Sequence, residues 1–343
     1  MTSMLKIIVF SCLGGYLLSF IVKNLLYKLG LLDQPDGENG RKIHKKSVVR
    51  GGGIAIFVAS MIGFLIVTGF DKAYLAFYLG ASLMFLVGLL DDVFNIRARY
   101  KLIGQVVVIA IAMSLGLTIE FLNGPGDGTM AIGWFSLPLT FLWLLGITNA
   151  INLIDGLDGL AGGIAGISAS VLGIVSLTVG RAEVAALAFI LAFSLFGFLP
   201  HNFSNKKKMF MGDSGSQYLG FSLGSLSILG VTKVAAVFTM LTPMMILAIP
   251  ILDTVFAIIR RAVKGNSIFV ADRGHLHHRL LDLGFSQRQV VMFIYYVTIL
   301  FGVVAIYTTR IAPKWAVVLF ALASLIVGLF TFLLWRKSQK KIP

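Results

Sequence analysis

Asn149, Asn152, Asp155 and Asp158 recur at every third position of NAINLIDGLDGLAGG, inside a chain that is otherwise apolar. On an α-helix such positions step by about 60° around the axis, and in a tighter turn they align. Either way they form one polar ridge. Capping a helix end needs a single such group, and polar groups at membrane depth are costly. The surplus points to a site. Gly156, Gly159, Gly162 and Gly163 let the backbone turn, or let a ligand approach closely.

Four further blocks carry chemistry-bearing residues. GLLDDVFNIRARYKL sets Asp91 beside Asp92, followed by Asn95, Arg97, Arg99 and Lys101. Adjacent carboxylates repel, so one proton is held tightly; the pair suits metal binding or proton abstraction. A charged helix terminus at the interface accounts for it equally well. KKKMFMGDSGSQYLG supplies Asp213. A carboxylate with nearby backbone and amide oxygens suits Mg²⁺, which keeps several waters and takes substrate phosphate as a partner. Phe210 offers a ring that stacks on a base, although a Phe near a membrane also serves as an interface anchor. DRGHLHHRL offers Arg273, His275, His277, His278 and Arg279. Zinc would want a fourth ligand and no cysteine is near, so phosphate is the better match. RKIHKKSVVRGGG places Arg41, Lys42, His44 and Arg50 before three glycines, and a positively charged cytoplasmic loop suffices to explain it. Carboxylates, amides, imidazoles and cations together are the mixture that phosphoryl transfer uses.

These residues must be positioned by membrane helices. The composition is 57% hydrophobic and 13% charged, against about a quarter charged in soluble domains. A span takes roughly 20 apolar residues, and such runs consume most of the chain. The expected architecture is all-α: one polytopic membrane helix bundle over residues 1–343, with no room for a soluble domain and no repeat. Hydropathy and breaker residues suggest about 11 helices, at 4–28, 51–70, 73–91, 102–119, 134–149, 160–180, 183–200, 214–231, 235–259, 289–309 and 314–335. Lysines and arginines crowd alternate connections, which places the N-terminus outside and the C-terminus in the cytoplasm. The lone cysteine, Cys12, lies in the first apolar run and is read as packing. The net charge of +14 is spread between spans, so it is no nucleic-acid signal; it suits anionic lipid and an anionic substrate.

The acids separate two function classes. Asp91, Asp92, Asp155, Asp158, Asp213 and Asp253 all fall at, or a few residues inside, the cytoplasmic ends of expected spans. A transporter would line a path at mid-span. An enzyme joining a membrane lipid to a soluble molecule would place its acids where headgroup meets cytosol, as here. Asp253, about two turns inside Arg260, keeps the transporter of an anionic solute as the alternative.

The blocks DD, NxxNxxDGxDGLAGG, FMGDSGS and HLHHRL, in this order, resemble the polyprenyl-phosphate N-acetylhexosamine-1-phosphate transferases of glycosyltransferase family 4, over nearly the whole chain. DRGHLHHRLLDLG and PILDT, which contains Asp253, look more like the N-acetylglucosamine branch than the muramoyl-pentapeptide branch. The resemblance implies transfer of a sugar-1-phosphate from UDP-N-acetylglucosamine to undecaprenyl phosphate, releasing UMP, with Mg²⁺ or alternatively Mn²⁺. UDP-N-acetylmuramoyl-pentapeptide is the alternative donor. It further implies a multi-pass protein of the bacterial inner membrane that works on its cytoplasmic side and starts a teichoic-acid or O-antigen type polymer. Membrane lipids and a homodimer partner are compatible with it, and nucleic acid is not.

Residue by residue, the resemblance makes Asp213 the metal ligand, assisted by Asn152. Asp91 and Asp92 face the lipid phosphate, one of them as base, and Phe210 stacks on uracil. Asp155, Asp158 and the group His275, His277 and His278 orient sugar and diphosphate. Arg41, Lys42, His44, Lys101, Asn149 and Arg273 complete the expected substrate contacts. Two departures stand out. Asn95 occupies the third position of the family's DDxxD, and HNFSNKKKMF is one residue longer than usual, which leaves Asn202 without an assigned role.

Overall fold

The computed structural model describes residues 2–30, 48–123, 129–204, 207–231, 241–263 and 275–308, with single positions between 315 and 329. Within them the chain is built from twelve α-helices and four very short strands. The helices are α1 (Thr2–Lys28), α2 (Gly52–Thr68), α3 (Leu75–Phe94), α4 (Ala98–Ser114), α5 (Ser136–Ile154), α6 (Leu160–Thr178), α7 (Ala182–Asn202), α8 (Gly212–Val231), α9 (Leu241–Ile246), α10 (Ala248–Val263), α11 (Leu276–Asp282) and α12 (Gln287–Thr308). Among the described residues six helical segments are long and apolar enough to cross a membrane: Met4–Lys28, Lys72–Phe94, Gly133–Ile154, Leu160–Thr178, Ala182–Asn202 and Gln287–Tyr307. The all-α membrane bundle is therefore observed.

One expected span differs. In place of one helix over 235–259 the described part holds α9 and α10, separated at Leu247, and α10 runs on to Val263 with Pro250 in its first turn. Proline lacks an N–H to donate, so it costs least in the first turn of a helix, where Pro250 sits. Of the expected helix at 314–335, the described positions 315, 318, 319, 321–323, 325, 326 and 329 are helical and the rest lie outside the described residues, as does 235–240. α11 is a short helix where a loop was expected.

The bundle is organised around α8. It packs on α3, α5, α2 and α6, and Ser214, Ser216, Gln217, Ser222, Ser225 and Ser227 on it are all buried. Lipid is as apolar as leucine, so membrane helices associate through small residues and interhelical hydrogen bonds. Tyr218 shares a 2.6 Å hydrogen bond with Ser60 of α2, and Trp143 of α5 donates to Ser227 at 3.0 Å. α1, by contrast, presents Leu5, Phe10, Leu13, Leu17 and Ile21 outward, as a lipid-facing helix should.

Strands β1 (Val49–Arg50) and β4 (Met209–Phe210) pair in parallel, with Arg50 in register with Phe210. At the far end of the bundle β2 (Phe121–Asn123) and β3 (Thr129–Ala131) form an antiparallel pair between α4 and α5. The near end gathers the start of α2, the end of α3, the start of α4, the α5–α6 turn and the start of α8.

Close approach there depends on Gly88, one helical turn before Asp92. A Cβ at 88 would overlap the backbone of Asp213 and Ser214. Gly88→Ala is expected to push α3 off α8 and lower stability by about 1–3 kcal/mol. Gly146→Ala, where a Cβ meets no atom within 4 Å, should leave it unchanged or slightly raised. Thermal unfolding of both variants in micelles checks this.

Candidate active site

α3 ends by delivering two neighbouring carboxylates in different directions, since adjacent helical residues diverge by about 100°. Asp92 turns to the first turn of α8. Its Oδ1 accepts the Asp213 N–H at 2.8 Å, and its Oδ2 accepts the Ser214 N–H at 2.9 Å and the Ser214 hydroxyl at 2.6 Å. A buried helix start has unsatisfied N–H groups and partial positive charge, and a carboxylate answers both. Gly212 makes room: its φ of +78° is in the glycine-favouring region, and a Cβ there would lie 2.6 Å from Asp92 Oδ2. Asp91 instead meets Lys101 at 2.9 Å.

Lys101, from the first turn of α4, also contacts Asp213, and donates to Asn152 Oδ1 at 3.2 Å. Asn152 Nδ2 donates to Asp213 and to Ser216, both at 2.7 Å. α4, α5 and α8 thus meet through a cation, an amide and a carboxylate. Asn95 ends α3 in the left-handed conformation, φ 48°, with its N–H on the Asp91 carbonyl. It is the one positive-φ residue other than glycine among those described, and it is exposed. Position 95 here terminates a helix rather than adding a third carboxylate to the site.

A cavity of about 510 Å³ opens beside this junction, walled by Arg50, Asp92, Asn152, Asp155, Gly156, Leu157, Asp158, Asn202, Lys208, Phe210, Met211, Gly212, Asp213, Ser216 and Gln287. Asp158 is paired with Lys208 at 2.6 Å. Among the described residues no hydrogen bond or ion pair holds the Asp155 carboxylate. Burial, and then the charges of Asp213, Asp92 and Asp158, push its pKa up to about 8. At neutral pH this carboxyl therefore keeps its proton, and only a positive charge brought into the pocket would let it ionise.

Those donors fit a hard divalent cation. Asp213 and Asp155 carboxylates, the Asn152 amide and the Ser216 hydroxyl are oxygen ligands around one cavity. Among the described residues no three His, Cys, Asp or Glu side chains form a ready cage. Mg²⁺ needs none, since it takes one or two carboxylates and fills its shell with water and substrate phosphate.

The polar ridge expected from sequence is divided by depth. α5 ends at Ile154, so Asp155 and Asp158 lie in the turn before α6 and line the cavity. Asn149 sits one turn deeper, exchanging hydrogen bonds with Gln105, and is not part of the cavity wall. The histidine group stands behind that wall. Asp253 accepts from His275 Nδ1 at 2.7 Å and from the Leu276 N–H at 2.8 Å, which anchors the start of α11 to α10. The acid that suggested a transport path is thus accounted for as an anchor. His277 is 2% exposed, its Nε2 has no partner among the described residues, and that atom would lie 2.7 Å from a Cβ on Gly156. Burial and the neighbouring His278 push its pKa down to about 4, so the ring is neutral at physiological pH. The His277 and His278 rings are tilted 4.3 Å apart. Arg41, Lys42, His44 and Arg273 lie outside the described residues.

Five polar wall residues, Arg50, Asn202, Lys208, Ser216 and Gln287, were missed as site residues by sequence reading. Arg50 and Lys208 were absorbed into the general basic loops, and only the β1–β4 register reveals that Arg50 and Phe210 share the wall. Gln287 begins α12 and carries no local signal. Asn202, left unassigned, clamps three elements: its Oδ1 accepts the Gly159 N–H and its Nδ2 donates to the Met209 carbonyl at 2.8 Å.

The sequence model of glycosyl transferase family 4 matches residues 74–231, which include every wall residue but Arg50 and Gln287. The chain is 39% identical over 298 residues to a probable undecaprenyl-phosphate N-acetylglucosaminyl 1-phosphate transferase of Bacillus subtilis, covering 86% of this chain and 82% of that one. It is 30% identical to the undecaprenyl-phosphate alpha-N-acetylglucosaminyl 1-phosphate transferase of Yersinia pestis, over 93% of this chain and 89% of the relative. The decaprenyl-phosphate N-acetylglucosaminephosphotransferase of Mycobacterium tuberculosis is 32% identical, over 80% and 74%.

Two outcomes follow from the geometry. Asp92→Asn replaces one acceptor by a donor facing N–H groups, so stability should fall by about 2 kcal/mol together with activity. Unchanged thermal unfolding with lost activity would mean that Asp92 acts as a free base instead. For Asp155, the folded protein retains a proton that the unfolded carboxylate, with a pKa near 4, has released. Without divalent cation, stability should therefore decline as pH rises from about 4 through about 8. Unfolding temperatures at pH 6 and 9 in chelator measure the slope, which Asp155→Asn should flatten and Mg²⁺ should reverse.

Proposed function

The chain belongs to glycosyl transferase family 4, and from that premise we propose that it transfers N-acetylglucosamine-1-phosphate from UDP-N-acetylglucosamine to undecaprenyl phosphate. An oxygen of the lipid phosphate attacks the β-phosphorus, the bond from that phosphorus to the bridging oxygen breaks, and UMP leaves. The single observation that carries this reading is the convergence of Asp92, Asn152, Asp155, Asp158 and Asp213 with Lys208, Arg50 and Phe210 on one cavity. Lys101 stands beside it.

In this reading Asp213 and Asn152, with Asp155 close by, would hold Mg²⁺, which would supply positive charge against the diphosphate and the leaving phosphate. Asp91, held by Lys101, accepts the lipid-phosphate proton, and Asp92 fixes the loop that carries Asp213. Phe210 stacks on uracil, Arg50 and Lys208 clamp phosphate, and Asp158 orients the sugar. His277, neutral, offers one hydrogen bond where an imidazolium would offer charge. The basic connections support a cytoplasmic site and an outside N-terminus, and the succession of apolar runs supports a single domain over the whole chain. The product fits the first lipid-linked step of a cell-envelope polysaccharide of teichoic-acid or O-antigen type.

Purified protein with Mg²⁺, UDP-N-acetylglucosamine and undecaprenyl phosphate should release UMP, and Asp213→Ala should release none while still inserting and folding. A wild-type protein that releases no UMP with any UDP-N-acetylhexosamine overturns the proposal; faster turnover of another UDP-sugar reassigns the donor.

A further inference from the structure

A second polar layer lies directly beneath the Lys101–Asn152–Asp213 junction, drawn from the same three helices. Gln105 follows Lys101 by four residues on α4, Asn149 precedes Asn152 by three on α5, and Gln217 follows Asp213 by four on α8. Each step is about one helical turn into the bundle. Asn149 Nδ2 donates to Gln105 Oε1 at 3.0 Å, and Gln105 Nε2 donates to Asn149 Oδ1 at 3.3 Å and to Gln217 Oε1 at 3.2 Å. Gln105 is 1% exposed and Gln217 0%.

Three amides deep in an apolar bundle are a poor way to gain stability. Gln217 Nε2 has no partner among the described residues, and a partly satisfied buried network is worse than apolar packing. What such a layer does supply is register. Its bonds close only when α4, α5 and α8 stand at one height and one rotation, because a one-residue slip turns a side chain by about 100°.

We infer that Gln105, Asn149 and Gln217 form a register lock that positions Lys101, Asn152 and Asp213 for binding of the divalent cation and the diphosphate. The lock rests on the proposed phosphoryl-transfer function of the cavity. It makes Gln105 and Gln217 positioning residues, and it moves Asn149 from substrate contact to support. Groups that orient metal ligands change metal affinity by about 10–100-fold when removed, and the layer stands one turn from such ligands.

The test uses Gln105→Met and Gln217→Met, which keep length and volume while removing the amide, and the double variant. Mn²⁺ binding is read by electron paramagnetic resonance, UMP release against Mg²⁺ concentration, and folding by thermal unfolding in micelles. Expected are an Mn²⁺ affinity and a turnover each lower by about tenfold or more, little change in unfolding temperature, and a double variant no worse than either single one. The inference is overturned if Mn²⁺ affinity and turnover stay within about twofold of wild type. It is equally overturned if turnover falls only with the folded fraction while that fraction binds Mn²⁺ normally. Wild-type UMP release separates the two readings: its absence defeats the proposed function, whereas an active wild type with unaffected variants defeats the lock alone.

Discussion

The contact on which the site depends is a carboxylate placed against the buried start of a helix. α8 begins at the cavity wall with first-turn N–H groups that have no partner within the helix, and Asp92 receives three donors from Asp213 and Ser214. The same turn carries Asp213 and Ser216 into the cavity wall. Stability and chemistry are therefore joined at one residue. α3 is tied to α8, and Gly88 is the opening that lets them meet.

Around that anchor the charges are arranged unevenly. Lys101 bridges Asp91 and Asp213, and Lys208 meets Asp158, while Asp155 has burial and repulsion only. A buried carboxyl among like charges keeps its proton unless a cation joins it. The neutral His277 behind Gly156 follows the same economy of charge on the other wall. Asp253 lies apart from this cluster, its two oxygens taken by His275 and Leu276.

The central helix illustrates how a span enclosed by others differs from one that faces lipid. α8 is rich in serine and absent from the strongly apolar spans, yet its side chains are among the most buried in the protein. Helices that face lipid must be apolar, whereas a helix enclosed by others gains from small residues and hydrogen bonds. The amide layer of Gln105, Asn149 and Gln217 belongs to the same logic of polar groups hidden from lipid.

Much of the protein was legible in its residues alone. The helical bundle follows from apolar runs, and the site-forming blocks from carboxylates too numerous for capping. The glycines from Gly156 to Gly163 signal a turn beside Asp155 and Asp158. What pattern could not reveal is direction. Asp91 and Asp92 look like one dyad in the chain, yet a 100° helical step sends them to different partners. Asn149 and Asn152 look like one ridge, yet α5 ends at Ile154 and sinks the first below the second. Arg50 joins Phe210 across some 160 residues only through strand pairing. Periodicity and hydropathy are local, so the sequence by itself determined which elements form and which residues are chemically costly. Which of those residues meet was decided by helix rotation, depth and the points where glycine lets backbones touch, and these exist only once the helices pack.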